Sequence, residues 1–187
     1  LLGGSAKNFG NLETSFINSL IEGGYSSFFI GGGSLYNGVL WTMKIELFGS
    51  FILFFTCLLS NYSKQRITAS IIAIAAIYFI AEKSTERFGY ISFIIGMLIH
   101  DYGKKINGYL QITFLLTGVY LAGFHQNSSS YTLIKDVFGI DTALIFLTAS
   151  ASLIVYSILM GEFLSKALSG KTSLILGKLS FSIYLTH

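Results

Sequence analysis

The sequence predicts an all-α fold: a polytopic transmembrane helical bundle of about five full spans plus the start of a sixth. Three observations predict it. Of 187 residues, 52% are hydrophobic and only 11% charged, too little polar surface to cover a water-soluble core of this length. The apolar residues gather into stretches of spanning length between short polar connections. Proline is absent, so no span is obliged to kink.

The opening region, Leu1 to Val39, is glycine-rich ("EGGYSSFFIGGGSLYNG") with amphipathic character in "LETSFINSLI". It is expected to be an outer loop with a short surface helix, either a flexible connection or a lid. The membrane region is expected over residues 40–187. Its first span runs from Leu40 to Ser60 and its second from Ile67 to Ala81. The stretch Phe88 to His100 covers only about 20 Å at ~1.5 Å per residue, so it must borrow flanking residues, tilt less than its neighbours or be re-entrant. Ile106 to Phe124 and Thr142 to Leu164 are further spans, and Leu174 to His187 begins the last. With no initiator Met, no signal peptide and an apolar last segment, both ends are expected to be cut from a longer chain.

Loop charges give an orientation. Lys64 and Arg66, Lys104 and Lys105, and Lys166 and Lys171 lie in connections separated by even numbers of crossings, so the positive-inside rule puts all three in the cytoplasm. The remaining connections balance their charges or lean negative and face outward. This predicts an integral, multi-pass protein of the cytoplasmic (inner or plasma) membrane.

Two segments place polar chemistry inside spans. In "NGVLWTMKIELFGSFILFF", Lys44 and Glu46 are two residues apart, which puts them on nearly opposite helix faces. Glu46 lies about 9 Å along the axis from Leu40 and shares its face with Thr42, Gly49 and Ser50. A carboxylate at that depth costs a few kcal/mol or more if it faces lipid, so it is expected to face the bundle interior, as a functional carboxylate or a structural partner. Lys44 can snorkel to the outer surface beside an interfacial Trp41, or serve a site. In "LGKLSFSIYLTH", Gly177, Ser180, Tyr184 and His187 line one helical face, expected to point inward.

Other chemistry is weakly supported. The positive residues are dispersed, which excludes a nucleic-acid surface. The single cysteine, Cys57, leaves no disulfide framework or Cys-based metal site, and no Glu/His cluster has metal-ligand spacing. Gly31 to Gly33 lack the Lys-Ser/Thr of a phosphate loop and read as a flexible turn. His100, next to Asp101, and His125 read as solvated boundary residues.

Together the two polar segments resemble signature regions of the acyltransferase 3 family, multi-pass membrane enzymes that acylate, most often O-acetylate, carbohydrates outside the cytoplasmic membrane. "LWTMKIE" is similar to the family's Leu-Trp-(Thr/Ser)-x-x-(Val/Ile)-Glu signature, which maps its tryptophan to Trp41 and its acid to Glu46. Leu176 to His187 resembles the family's Leu-Gly-x-(Ile/Leu)-Ser-(Tyr/Phe)-Ser-(Ile/Leu)-Tyr-Leu-x-His element, and "FGYISFIIGMLI" its glycine-containing span before a basic inner loop. Leu47 follows Glu46 where many members carry a second acid, as in the branch with a "WTMxIE" form.

The resemblance implies transfer of an acyl group, most often acetyl, from acyl-CoA to a carbohydrate hydroxyl, with no metal. It implies catalytic roles for Glu46, Lys44, Tyr184 and His187, and substrate contacts at Trp41, Asn37 and Ser180. Lys64, Arg66, Lys104 and Lys105 are candidates for the CoA phosphates, although they equally satisfy the positive-inside rule. The family's proposed catalytic histidine and a nearby arginine belong to the amino-terminal half, to which nothing here corresponds, so this stretch alone is expected to be inactive. Two other readings stay open: part of a transporter or flippase, with Glu46 and His187 on a proton or solute path, and a purely structural helical bundle.

Overall fold

The computed structural model describes residues 16–30, 40–60, 63–125, 131 and 142–186. Secondary structure among them is helical, apart from one isolated bridge between Ile106 and Gly161. A short helix α1 (Phe16–Leu20) continues into a π-helical segment, Ile21–Ile30. Then come α2 (Trp41–Leu59), α3 (Ser63–Ile80), α4 (Ser84–Tyr102) and α5 (Gly108–Ala122), followed by α6 (Thr142–Met160), α7 (Glu162–Leu168) and α8 (Lys171–Thr186). Two of these, α2 and α6, are long and apolar enough to cross a membrane, whereas the apolar parts of α3 and α5 are shorter. Only 17% of the apolar stretch of α2 or of α6 is buried. Such helices would be mostly enclosed in a soluble core, and their exposed apolar faces suit lipid.

The described chain forms two compact units. One comprises residues 51–174 and the other combines residues up to 50 with 175–186. In the larger unit α6 packs most extensively on α5 and also meets α4 and α7. The seam is small and polar. Thr142, Phe146, Ser150 and Ser157 are the buried residues of α6, and Gly118 of α5 lies so close that a Cβ there would sit 2.7 Å from the Ile154 side chain. Buried Gln111 donates from Nε2 to the Ser157 carbonyl at 3.0 Å. Close backbone approach across small residues is how helices associate where no hydrophobic drive separates helix from solvent.

Serine and threonine inside these helices satisfy themselves. Thr56, Ser60, Ser70, Ser92 and Ser152 each donate to the carbonyl four residues earlier, at 2.5–2.8 Å. Such back-bonding lets a hydroxyl occupy an apolar helix without an unpaired group. At the other end of α5, the Tyr131 ring packs on Tyr120 and Phe124, and Phe124 meets Phe146 edge-on at 4.8 Å.

Of the alternatives open for Phe88 to His100, the chain borrows flanking residues: α4 is a 19-residue helix, about 28 Å long, that recruits the polar flanks Ser84–Arg87 and Asp101–Tyr102. Two other expectations change. The span expected from Thr142 to Leu164 ends at Met160. Gly161 is extended there, the carbonyl of the preceding Met160 accepts from Ile106 N–H at 3.1 Å, and Gln111 fills the space a side chain would need. The glycine-rich residues 22–30, read as loop, continue the first helix as π-helix, with Ser27 donating to the Glu22 carbonyl at 2.6 Å. The Gly31 to Gly33 turn lies outside the described residues.

Candidate functional site

The amino-terminal half of α2 presents two different faces. Lys44 and Phe48, four residues apart, share one of them, and both are half-buried. The Phe29 ring of the π-helical segment meets Phe48 edge-on at 6.5 Å, and Tyr25 stacks on Phe29 at 5.3 Å, so aromatic rings cover this face. Trp41 is 48% exposed and Met43 is buried.

Glu46 lies on a different face and is exposed. Thr42 Oγ1 donates to its Oε1 at 3.4 Å, a long and weak hydrogen bond. The helix face that carries Glu46 continues through Gly49, Leu53, Thr56 and Ser60, of which Gly49, Thr56 and Ser60 are buried. The carboxylate thus stands at the open end of a small, polar packing face. Glu46, expected to face the bundle interior, is exposed among the described residues, while Lys44, expected either to snorkel outward or to serve a site, is half-buried. Phe29 of the π-helical segment meets Phe48 on the lysine's face.

The second polar segment is α8. Gly177 and Ser180 are exposed, and a Cβ at Gly177 would meet nothing within 4 Å. Ser180 Oγ donates to the Gly177 carbonyl at 2.8 Å. The stripe expected to point inward is therefore an open face here. The Tyr184 side chain, His187 and Asn37 lie outside the described residues. Residues 40–50 of α2 and 175–186 of α8 nevertheless fall in the same compact unit, which brings two segments well over a hundred residues apart into one body.

A charged cluster forms where α3 begins and α4 ends. Arg66 Nη1 donates to Asp101 Oδ2 at 2.6 Å, and His100 Nδ1 stands 3.0 Å from Asp101 Oδ1. The hydrogen bond from Arg66 holds the Asp101 carboxyl below the usual carboxylate range, opposed by partial burial and helped by His100. The same bond raises the Arg66 guanidinium further. Asp101 is thus an ion-pair partner with a side chain 16% exposed, whereas His100 is 84% exposed. The signal was available: a short α3–α4 connection makes an antiparallel hairpin, which places a base in the first turn of α3 beside an acid in the last turn of α4.

Arg66, a candidate for CoA phosphates, is accordingly engaged within the protein, and the Lys64 side chain lies outside the described atoms. Lys104 and Lys105 are exposed on a fixed turn. The Tyr156 hydroxyl accepts from Lys104 N–H and donates to the Lys104 carbonyl, both at 3.2 Å. Neither Tyr156 nor its role was legible in the sequence, where it is one aromatic among many in an apolar span. Among the described residues, no three His, Cys, Asp or Glu side chains come together as metal ligands.

A family model described as an acyltransferase domain, that of the acyltransferase 3 family, matches residues 5–187. No curated protein and no solved structure matches the chain.

Proposed function

This chain belongs to the acyltransferase 3 family, and we propose that it forms part of a multi-pass membrane O-acyltransferase that moves an acyl group from acyl-CoA to a carbohydrate hydroxyl. The observation that carries the site assignment is the placement of the Trp41–Glu46 and Leu176–Thr186 segments in one compact unit.

In such a transfer the hydroxyl oxygen attacks the thioester carbonyl, a base takes the hydroxyl proton, and donors stabilise the oxyanion until the thiolate of CoA leaves. Glu46, on the open end of its packing face, orients the base or a cationic partner from outside these residues. Lys44, Ser180 and Tyr184 are candidates to donate to substrate or oxyanion, with Trp41 and Asn37 against the sugar and His187 able to exchange protons near neutral pH. Lys104 and Lys105 project from the turn held by Tyr156 and suit the phosphates of CoA on the cytoplasmic side. Arg66 supports that edge through Asp101 rather than by direct contact.

Membranes containing the protein, supplied with radiolabelled acetyl-CoA and an exported polysaccharide, should show label transferred to an alkali-labile ester on the sugar. Movement of a solute or lipid-linked sugar with no consumption of acyl-CoA would instead support a transporter.

A further inference from the structure

The acyl-transfer reading does not use α7, the short helix that follows α6 in the larger unit. At about 100° per residue its side chains sort into two arcs. Glu162, Ser165 and Lys166 fall in one, and Phe163, Leu164, Ala167 and Leu168 in the other. Along the polar arc Lys166 Nζ stands 3.6 Å from Glu162 Oε2. On the apolar arc Leu164 is half-buried, whereas Phe163 is 73% and Leu168 48% exposed. This is the sorting of a helix that lies along an apolar boundary.

Its attachment says which boundary. Gly161 alone separates α7 from α6, and that residue is extended, with Gln111 in the space where a side chain would go. The chain is therefore turned out of the helix at the end of a stretch long and apolar enough to span, and α7 starts one residue later. Exposed Val155 and Leu159 carry the apolar surface of α6 up to this point. The bridge between Ile106 and Gly161 brings in the start of α5, where Tyr109 is 87% exposed, together with the exposed Lys104 and Lys105. Aromatic and basic residues gathered at the end of an apolar span mark the level of the lipid headgroups.

We infer that α7 lies in the plane of the membrane, with its Phe163–Leu168 side seated where headgroups meet acyl chains. Lipid is the occupant because this face continues that of α6, and a one-residue link holds it at the bilayer surface. Two exposed side chains on so short a helix offer too little area for a stable protein partner. The inference rests on α6 spanning the membrane and is independent of acyl transfer.

The test is tryptophan fluorescence of the protein in phosphatidylcholine vesicles. Trp41→Phe removes the single native tryptophan, and Phe163→Trp or Lys166→Trp then places a reporter on either side of α7. Both positions are mostly exposed, so neither reporter requires repacking. The Phe163→Trp reporter should be quenched several-fold more by lipid brominated near the headgroup end of its chains than by aqueous iodide, and the Lys166→Trp reporter the reverse. Iodide quenching of both reporters would overturn the seating in lipid. Stronger quenching of Phe163→Trp by bromine at the chain ends would make α7 a continuation of the span, and quenching by no agent would put protein over this face; either result overturns the inference. Alkaline carbonate extraction separates the premises. A chain released from membranes removes the spanning reading of α6 and the seating together, whereas a retained chain with an iodide-accessible Phe163→Trp reporter removes only the seating.

Discussion

Arg66 and Asp101 stand 35 residues apart in sequence, yet the guanidinium donates to the carboxylate at 2.6 Å and so ties the first turn of α3 to the last turn of α4. His100 closes on the other carboxylate oxygen at 3.0 Å. The pair is partly covered, with side chains 28% and 16% exposed, so removing one partner strands a charge that water only partly reaches.

This pair makes stability depend on acid. The folded Asp101 carboxyl is depressed below 3.8 by Arg66, so its stabilising contribution is complete above that value and is lost as pH falls through the lower folded value. Thermal melts of the detergent-purified protein from about pH 6 to about pH 3 should show a decline that Asp101→Asn lacks. Asp101→Asn should also melt lower than wild type near neutral pH, and the double variant with Arg66→Gln should be less destabilised than the two single effects added together.

Glycines on the α5–α6 seam and on α8 should respond oppositely to the same change. Gly118→Ala puts a Cβ 2.7 Å from the Ile154 side chain and 3.2 Å from the Ser150 carbonyl, an overpacking expected to cost about 1–3 kcal/mol. Gly177→Ala meets nothing within 4 Å and replaces a poor helix former, so it should be neutral or stabilising by up to about 1 kcal/mol. Melting temperatures of the two variants check both.

Tyr156→Phe removes the hydroxyl that pairs with both backbone groups of Lys104. The expected loss is about 0.5–1.5 kcal/mol, with faster amide hydrogen exchange at Lys104. If Lys104 and Lys105 hold the phosphates of CoA, KM for acyl-CoA should rise while kcat stays near wild type.

Helical character and the apolar length of α2 and α6 were legible because composition and run length dictate them. The break at Gly161 was not, because it depends on Gln111 occupying the space beside a glycine 50 residues later, a tertiary fact that hydropathy does not encode. The faces of Lys44 and Glu46 were separated correctly by helical periodicity. Which face is covered depends on the π-helical segment that carries Phe29 to Phe48, and glycine-rich residues there gave no signal for helix. The pairing of Asp101 was missed for a related reason: its own loop shows only His100 beside it, and the α3–α4 hairpin brings it to Arg66.

The central claim concerns Glu46, and its most direct test is acyl transfer from acyl-CoA to carbohydrate in membranes that contain wild-type protein or Glu46→Gln at equal abundance. The account predicts turnover by the wild type and a loss of roughly 100-fold or more in the variant, the range expected when a group that orients acid–base chemistry is neutralised. Near-normal acylation by Glu46→Gln would contradict the role of this carboxylate, and no consumption of acyl-CoA by the wild type would contradict the reaction itself.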